Sequence, residues 1–261
     1  MVEEVEQQAA RMGALRAVAL CRCFSGALRF QTGEWDEAET ELREAVELYR
    51  QVDGASGESL SLQRLGVLLT ARGKLDEALD LLHEGTAAAE RATMRSHCLT
   101  RLYASMVRNR LAAGDQEAAV QAMHQGASTA ERHGHCVTCN ALLLPEAVRI
   151  ALIEHDVDLA RDRVGELDRI ATEFGSTLWR AMADQSHARL HAANGSDAEA
   201  ELLFRQAADA FLEAEAPYEA ARALTARARL LDKSSNSDTA LRCSNLANEI
   251  YRRVGAPGIE N

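Results

Sequence analysis

The chain has 261 residues, a formal net charge of −11 and only three prolines. Hydrophobic residues make up 47% of the sequence but aromatic residues only 4%, and Ala and Leu dominate the apolar content, which favours long helices over strands. The net charge opposes non-specific binding to the phosphates of a nucleic acid or to an anionic membrane surface. No stretch approaches the ~18 apolar residues of a membrane span, and the chain starts with acidic rather than basic residues. We therefore expect no membrane helix, no signal peptide and a cytoplasmic location.

Six short segments of the chain align with one another at a spacing of 40 or 41 residues. Each follows one apolar helical pattern and precedes another, which predicts a tight turn between two antiparallel helices, A and B. Four segments open with glycine, which tolerates the left-handed conformation that ends a helix, and all six end at an alanine small enough for helices A and B to approach closely. The six alanines are Ala38, Ala78, Ala119, Ala160, Ala200 and Ala240.

Taken in chain order, this periodicity predicts a single repeat domain over residues 1–261. Residues 1–10 are expected to be the end of a preceding helix or an N-terminal cap. The repeats are expected at about 11–52, 53–93, 94–134, 135–175, 176–215 and 216–256.

The pattern within the first two repeats resembles the tetratricopeptide repeat. A small residue, Gly26 or Gly66, stands seven positions before the turn glycine, and an alanine follows that glycine by five positions. The resemblance implies an all-α fold, a right-handed superhelical solenoid of about six helix-turn-helix repeats, with the A helices lining a concave groove. The groove is the natural binding surface of such a fold.

The repeat period exceeds the usual 34 residues and resembles the C-terminal helical-repeat region of large LuxR-like or maltose-activator-like bacterial transcriptional regulators. In those proteins an ATPase module precedes the array and a helix-turn-helix DNA reader follows it. The resemblance implies that the chain is the sensor or regulatory repeat domain of a bacterial transcriptional activator. The net charge of −11 indicates that this chain itself does not bind nucleic acid directly.

Arginine recurs at one groove-facing position of the predicted array, six residues before the turn. It occupies this position in four successive repeats, as Arg108, Arg149, Arg189 and Arg229. A guanidinium binds a carboxylate or phosphate through a bidentate fork, so this track predicts an anionic partner: a protein, a peptide or a small ligand. Each arginine could instead pair with an acid on a neighbouring helix, such as Glu146 or Glu154.

Arg101 and Trp179 complete the set of candidate partner-binding residues. Trp179 shares one equivalent position, near the start of an A helix, with Cys98 and Cys139. These three residues are expected to form a row at one rim of the groove. Trp179 could anchor a ligand there, or it could serve only in packing between repeats.

A cluster of cysteines and histidines is the one constellation with metal-ligand chemistry. Its members are His133, His135, Cys136 and Cys139, together with His97 and Cys98, which the repeat geometry brings near. Four thiolate or imidazole ligands would suit tetrahedral zinc, although cysteines three apart on a helix could equally be buried or act as a thiol switch. Six cysteines are too sparse for a disulfide framework, so we expect reduced thiols and no cofactor apart from this possible zinc.

Catalytic motifs are absent from the sequence: it contains no phosphate loop, paired-histidine metalloprotease motif, nucleophile elbow or dinucleotide fingerprint. We therefore expect a non-catalytic scaffold that binds a protein or ligand in its groove. The alternative is a metal- or thiol-sensing module that uses the cluster around Cys136 and Cys139.

Overall fold

The computed structural model describes residues 2–134, 136–234 and 236–258, and these residues form thirteen α-helices and no strand. The prediction of an all-α chain is confirmed. The helices are α1 Val2–Arg11, α2 Leu15–Thr32, α3 Trp35–Gln51, α4 Ala55–Ala71, α5 Leu75–Glu90, α6 Arg95–Ala112, α7 Gln116–His133, α8 Val137–Ile153, α9 Val157–Phe174, α10 Thr177–Ala193, α11 Asp197–Glu213, α12 Pro217–Lys233 and α13 Ser237–Val254. Within the described part of the chain, none of these helices is long and apolar enough to cross a membrane.

The helices divide into two compact units, Met1–Cys136 and Val137–Asn261. In unit 1, α1 is followed by the hairpins α2–α3, α4–α5 and α6–α7, and unit 2 consists of the hairpins α8–α9, α10–α11 and α12–α13. The division falls within two residues of the boundary predicted between the third and fourth repeats. That residues 1–261 act as one domain, with a right-handed superhelical course, stays a prediction.

The turns between the A and B helices have the predicted left-handed backbone. Gly33, Gly73, Gly114 and Gly195 have φ values of 102°, 76°, 77° and 76°. In the fourth hairpin the same position is held by His155, whose φ of 60° is one that a residue with a Cβ adopts at a cost. Ser235, at the last turn, lies outside the described residues.

The close approach of helices A and B follows from small residues on both sides. A Cβ added to Gly66 would lie 2.7 Å from Leu82 Cδ2 and 3.3 Å from the carbonyl oxygen of Ala78. Gly26 is equally tight, since its Cβ would lie 2.8 Å from Leu42 Cγ. The six shared alanines are all buried, five of them completely. The predicted contact between each pair of helices is therefore confirmed.

Candidate functional site

The A helices of each unit define the surface on which the predicted partner-binding arginines lie. We call the surface formed by α2, α4 and α6 the A face of unit 1, and that formed by α8, α10 and α12 the A face of unit 2. Within unit 1, α4 contacts both α2 and α6, and within unit 2, α10 contacts α8. Side chains on successive A helices can therefore act on one another.

Charge is unevenly divided among the helices of unit 1. Helices α2, α4 and α6 contain eight arginines and one acidic residue, whereas α3, α5 and α7 contain thirteen acidic residues. The single acid, Glu58, is buried and already paired, with Arg50 Nε at 3.3 Å and Arg91 Nη2 at 3.0 Å. The A helices of unit 1 therefore carry a cationic surplus in a protein whose net charge is strongly negative.

Two arginines of this surplus lie on the neighbouring helices α4 and α6, where the charge of Arg64 acts on Arg101. Arg64 Nη1 donates to the carbonyl oxygen of Cys23 at 3.0 Å, and the Arg64 guanidinium stacks 4.5 Å from the ring centroid of Phe24. Arg101 has a buried Nε with no hydrogen-bond partner among the described residues. Burial, together with the charge of Arg64, lowers the pKa of Arg101 to about 10.

His97 belongs to the same neighbourhood. Burial and then the charges of Arg101 and Arg64 lower the pKa of its imidazole. In the described part of the chain, no carboxylate is among the groups that shift the pKa of Arg101. Arg101 was among the predicted partner-binding residues, but Arg64 was not, because its contacts with α2 join residues 40 and 41 positions apart in the sequence.

Three of the four predicted track arginines lie together in unit 2. Arg149 Nη1 donates to Glu146 Oε2 at 2.7 Å, so Arg149 does have an acid partner, which lies on its own helix α8 and not on a neighbouring one. Arg189 lies over the ring of Phe204 at 6.0 Å. Burial, then the charge of Arg149 and more weakly that of Arg229, lowers the pKa of Arg189 to about 10, although Glu146 and Glu219 oppose this shift.

The fourth track arginine, Arg108, lies on α6 in unit 1, where it is partly exposed and engaged in an interaction of its own. Arg229, by contrast, is exposed on α12. The four residues therefore divide between the two units and differ in their surroundings.

Trp179 lies near the start of α10, where packing accounts for its position. Its ring meets Phe174 edge-on at a centroid distance of 5.5 Å. It also packs against a buried cluster that includes Leu144 and Leu167. Its use as a ligand anchor stays a prediction.

The cysteine and histidine cluster differs from the expectation at its centre. Cys136 and Cys139 are both disulfide-bonded, so the expectation of six reduced thiols is wrong for these two. Counting cysteines across the whole chain overlooked how close two sulfurs come at a spacing of three residues. A sulfur in a disulfide is not a thiolate ligand, so a metal at this place would need the reduced pair.

The remaining members of the cluster are placed differently from one another. Cys98 is fully buried, and burial raises the pKa of its thiol. His97 Nδ1 lies 3.4 Å from Cys136 Sγ. His133 is exposed at the end of α7, and His135 lies outside the described residues. The zinc assignment stays a prediction.

Comparison with known proteins supports the fold. A family model for the tetratricopeptide repeat matches residues 16–91. No curated protein matches the chain.

Several solved structures are similar to this chain over most of its length. A Rap protein complexed with competence and sporulation factor has a TM-score of 0.67 and 14% identity, over 97% of this chain and 65% of that one. Aspartyl phosphate phosphatase F from Bacillus subtilis has a TM-score of 0.55 and 12% identity, over 99% of this chain and 76% of that one. BtubC (BKLC) from P. vanneervenii has a TM-score of 0.51 and 13% identity, over 88% of this chain and 93% of that one.

Identities this low show the fold alone: a tetratricopeptide-like helical repeat array. The chain spans 65% of the length of the Rap protein. What those proteins bind or do is not thereby shown for this chain.

Proposed function

We propose that this chain is a non-catalytic scaffold that binds an anionic protein or peptide through the arginines of its A faces. Stacked helical hairpins present an extended surface suited to such a partner. A similar fold, the Rap protein, was solved in complex with competence and sporulation factor, which is support by analogy at the level of fold.

The surplus of positive charge around Arg189 is the observation that carries the proposal. The two acids that oppose its pKa shift are each bonded to another arginine, Glu146 to Arg149 at 2.7 Å and Glu219 to Arg222 at 2.8 Å. Arg189 is left with like charges nearby and little water around its guanidinium. A partner carboxylate beside Arg189 would supply the missing counter-charge, and a guanidinium offers it two parallel hydrogen bonds.

The test is binding of acidic peptides to the whole chain and to two matched variants. The double variant Arg149→Glu with Arg189→Glu reverses the charge on the A face of unit 2. The control variant Arg161→Glu also replaces an arginine by a glutamate, but on the B helix α9. Arg161 pairs there with Asp158 of the same helix.

We expect a pool of Asp- and Glu-rich peptides to bind the wild-type chain and the control, more weakly as salt is added, and to lose roughly tenfold or more in affinity for the double variant. Equal affinity for wild type and the double variant would show that unit 2 is not the binding surface.

The role in a transcriptional activator is a narrower part of this proposal. It rests on the 40-residue repeat period, and the comparisons with known proteins do not bear on it. The full-length gene is its test. We expect an ATPase module upstream and a helix-turn-helix module downstream, and a gene that encodes neither would contradict the assignment.

The metal- or thiol-sensing module stays the alternative prediction. Protein purified without a polyhistidine tag, reduced and then incubated with zinc, should hold about one equivalent of the metal if Cys136 and Cys139 are ligands. Thiol titration before and after reduction reads the redox state of the same pair. A zinc content far below one equivalent would contradict metal binding by this pair of cysteines.

A further inference from the structure

We infer that helix α2 of unit 1 packs antiparallel against α2 of a second copy of this chain, so that the protein forms a two-fold symmetric dimer. The contact is made by an apolar row along α2, which consists of Leu20, Phe24 and Leu28. We call it the α2 row. The inference goes beyond the proposed function, because it uses other residues and the partner is the same protein.

The first step is the exposure of this row. Among the described residues, fourteen large apolar side chains are exposed, of which six precede residue 29 and none lies between residues 29 and 93. Three of the six form the α2 row: Leu20, Phe24 and Leu28 are 49%, 55% and 57% exposed. Their spacing of four residues places them side by side along the helix. A concentrated apolar surface of this kind marks an interaction site.

The second step is a comparison with the later hairpins, which shows what kind of element covers this position. The residues equivalent to Leu28, ten positions before each shared alanine, are all buried: Leu68, Asn109, Ile150, Leu190 and Leu230. Contacts in unit 1 give the reason. Asn109 Nδ2 on α6 donates to Thr70 Oγ1 on α4 at 3.1 Å, and Ser105 Oγ on α6 accepts from Gln63 Nε2 on α4 at 2.7 Å.

This side of an A helix therefore packs on the A helix of the hairpin before it. Helix α2 is preceded among the described helices by α1, which contacts α2 but leaves the α2 row exposed. By the same geometry, the element that would bury the row is another helix lying alongside α2.

The third step is the order of the side chains along the row, which favours a second copy as that helix. Leu20 and Leu28 stand at equal distances on either side of Phe24, so the row is the same in both directions. A two-fold axis at Phe24 would place Leu20 of each copy against Leu28 of the other. Packed helices lie about 8–10 Å apart, a gap that leucine and phenylalanine side chains fill. A closed dimer requires this kind of self-complementary surface.

The fourth step is the charge at the two ends of the row. Arg16 is exposed four residues before Leu20, and Thr32 follows Leu28 by four residues. Thr32 Oγ1 lies 3.4 Å from Glu34 Oε1, so one end of the row carries a guanidinium and the other a carboxylate.

An antiparallel second α2 brings the Arg16 end of each copy to the Glu34 end of the other. Both groups already have contacts within their own chain, Arg16 with the carbonyl oxygen of Val52 and Glu34 with Arg29. Both are also exposed, so each is open to a further contact. Exposed pairs of this kind add little affinity, but they favour the antiparallel direction over the parallel one, which would place like charges together.

The test is sedimentation equilibrium of the full chain at concentrations from about 1 to 500 µM. Leu28→Glu places a carboxylate in the α2 row. The control Leu241→Glu makes the same change on α13 of unit 2, at a leucine that is 58% exposed. The two variants have the same net charge, and thermal unfolding establishes that each is folded.

We expect the wild-type chain and the control to dimerise with the same dissociation constant, and Leu28→Glu to dimerise at least roughly tenfold more weakly. Arg16→Glu should also weaken the dimer, because it places a carboxylate against Glu34 of the other copy. A wild-type chain that is monomeric throughout the range, or a dimer unchanged by Leu28→Glu or by Arg16→Glu, would overturn the inference. Assemblies that grow beyond a dimer would contradict the two-fold symmetry.

A crosslinking experiment locates the symmetry axis. Under mild oxidation Phe24→Cys should give a disulfide-linked dimer, because the axis brings residue 24 of the two copies together. The wild-type chain and Leu241→Cys, treated in the same way, should stay unlinked. Equal crosslinking of all three, or no crosslinking of Phe24→Cys, would contradict an axis at this residue.

The double variant Arg149→Glu with Arg189→Glu separates this test from that of the proposed function. It should dimerise as the wild-type chain does, because both residues lie in unit 2. Conversely, Leu28→Glu should bind acidic peptides as the wild-type chain does. Failure of either experiment therefore leaves the other proposal standing.

Discussion

The A faces of the two units are built from the same repeat but treat charge differently. In unit 1, α2, α4 and α6 hold eight arginines against one acid, which is occupied elsewhere. In unit 2, α8, α10 and α12 hold seven arginines and lysines against four acids. Two of those acids pair with arginines of their own helices, as Glu146 does with Arg149.

This difference shows that an arginine on an A helix has two uses. In unit 2, part of the charge is neutralised within the unit, and the surplus lies around Arg189 and Arg229. In unit 1, the charge of Arg64 acts on Arg101, and among the described residues no carboxylate contributes to the pKa shift of Arg101. Substitutions at matched positions of the two units can separate these uses.

The largest effect is expected at the contact between helices A and B. Gly66→Val should destabilise the chain by about 3 kcal/mol, because the new side chain overlaps Leu82 and the backbone of α5. The position seven residues before the turn in the fourth hairpin already holds a buried valine, Val148. Chemical denaturation of the wild-type chain and of Gly66→Val measures the change in the free energy of unfolding. A loss below about 0.5 kcal/mol would mean that the second hairpin accepts a valine at this position as the fourth hairpin does.

Next in size is the loss of an internal pair in unit 2. Arg149→Gln should lower the free energy of unfolding by about 2 kcal/mol, because the side chain of Glu146 is 7% exposed and would lose its charged partner. The double variant Arg149→Gln with Glu146→Gln should recover most of the loss. A double-mutant cycle in urea measures this coupling, and a coupling near zero would contradict a structural role for the pair.

A smaller effect is expected from a hydrogen bond that unit 1 has and unit 2 lacks. In unit 1, Gln63 Nε2 donates to Ser105 Oγ at 2.7 Å between α4 and α6. The equivalent positions in unit 2 are Gln185, whose Nε2 is buried without a partner among the described residues, and Ala226. Ala226→Ser should therefore stabilise the chain by about 1 kcal/mol. Thermal unfolding is the measurement, and Gln185→Ala combined with Ala226→Ser should abolish any gain.

The smallest effect concerns the turn of the fourth hairpin, which has His155 in place of a glycine. His155→Gly should raise the free energy of unfolding by about 0.5 kcal/mol, because glycine adopts a φ of 60° without the steric cost that histidine bears there. Part of the gain is offset by the greater freedom of glycine in the unfolded chain. Gly33→Ala, the matched change in unit 1, should destabilise, and equal effects of the two substitutions would contradict this account.

The hairpin boundaries could be predicted from the sequence because each one depends on local chemistry. The shared alanines, the turn glycines and Gly26 recur at a fixed period, and each is required by backbone geometry or close packing within one hairpin. The same reasoning placed Arg108 and Arg149 on A helices, but it did not decide whether an acid would pair with them.

The candidate site in unit 1 was only partly predictable. Arg64 becomes notable only once α4 lies against α2 and its guanidinium meets Phe24, a contact that spans 40 residues of sequence. The sequence does contain one indication of this cationic surface, because the A helices of unit 1 contain a single acidic residue. This indication is visible only when the helix boundaries are known. The disulfide-bonded state of Cys136 was not predicted, because the expectation of reduced thiols came from the small total number of cysteines.

The free energy of unfolding of Arg101→Met, measured at neutral pH with no ligand, is the most direct test of the idea that unit 1 holds a charge without a partner. A base whose pKa is lower in the folded chain than in the unfolded one costs folding free energy while it stays protonated. Methionine keeps the apolar length of the side chain and removes the charge. We predict that Arg101→Met is as stable as the wild-type chain or more stable, and a loss of stability like that expected for Arg149→Gln would contradict the account.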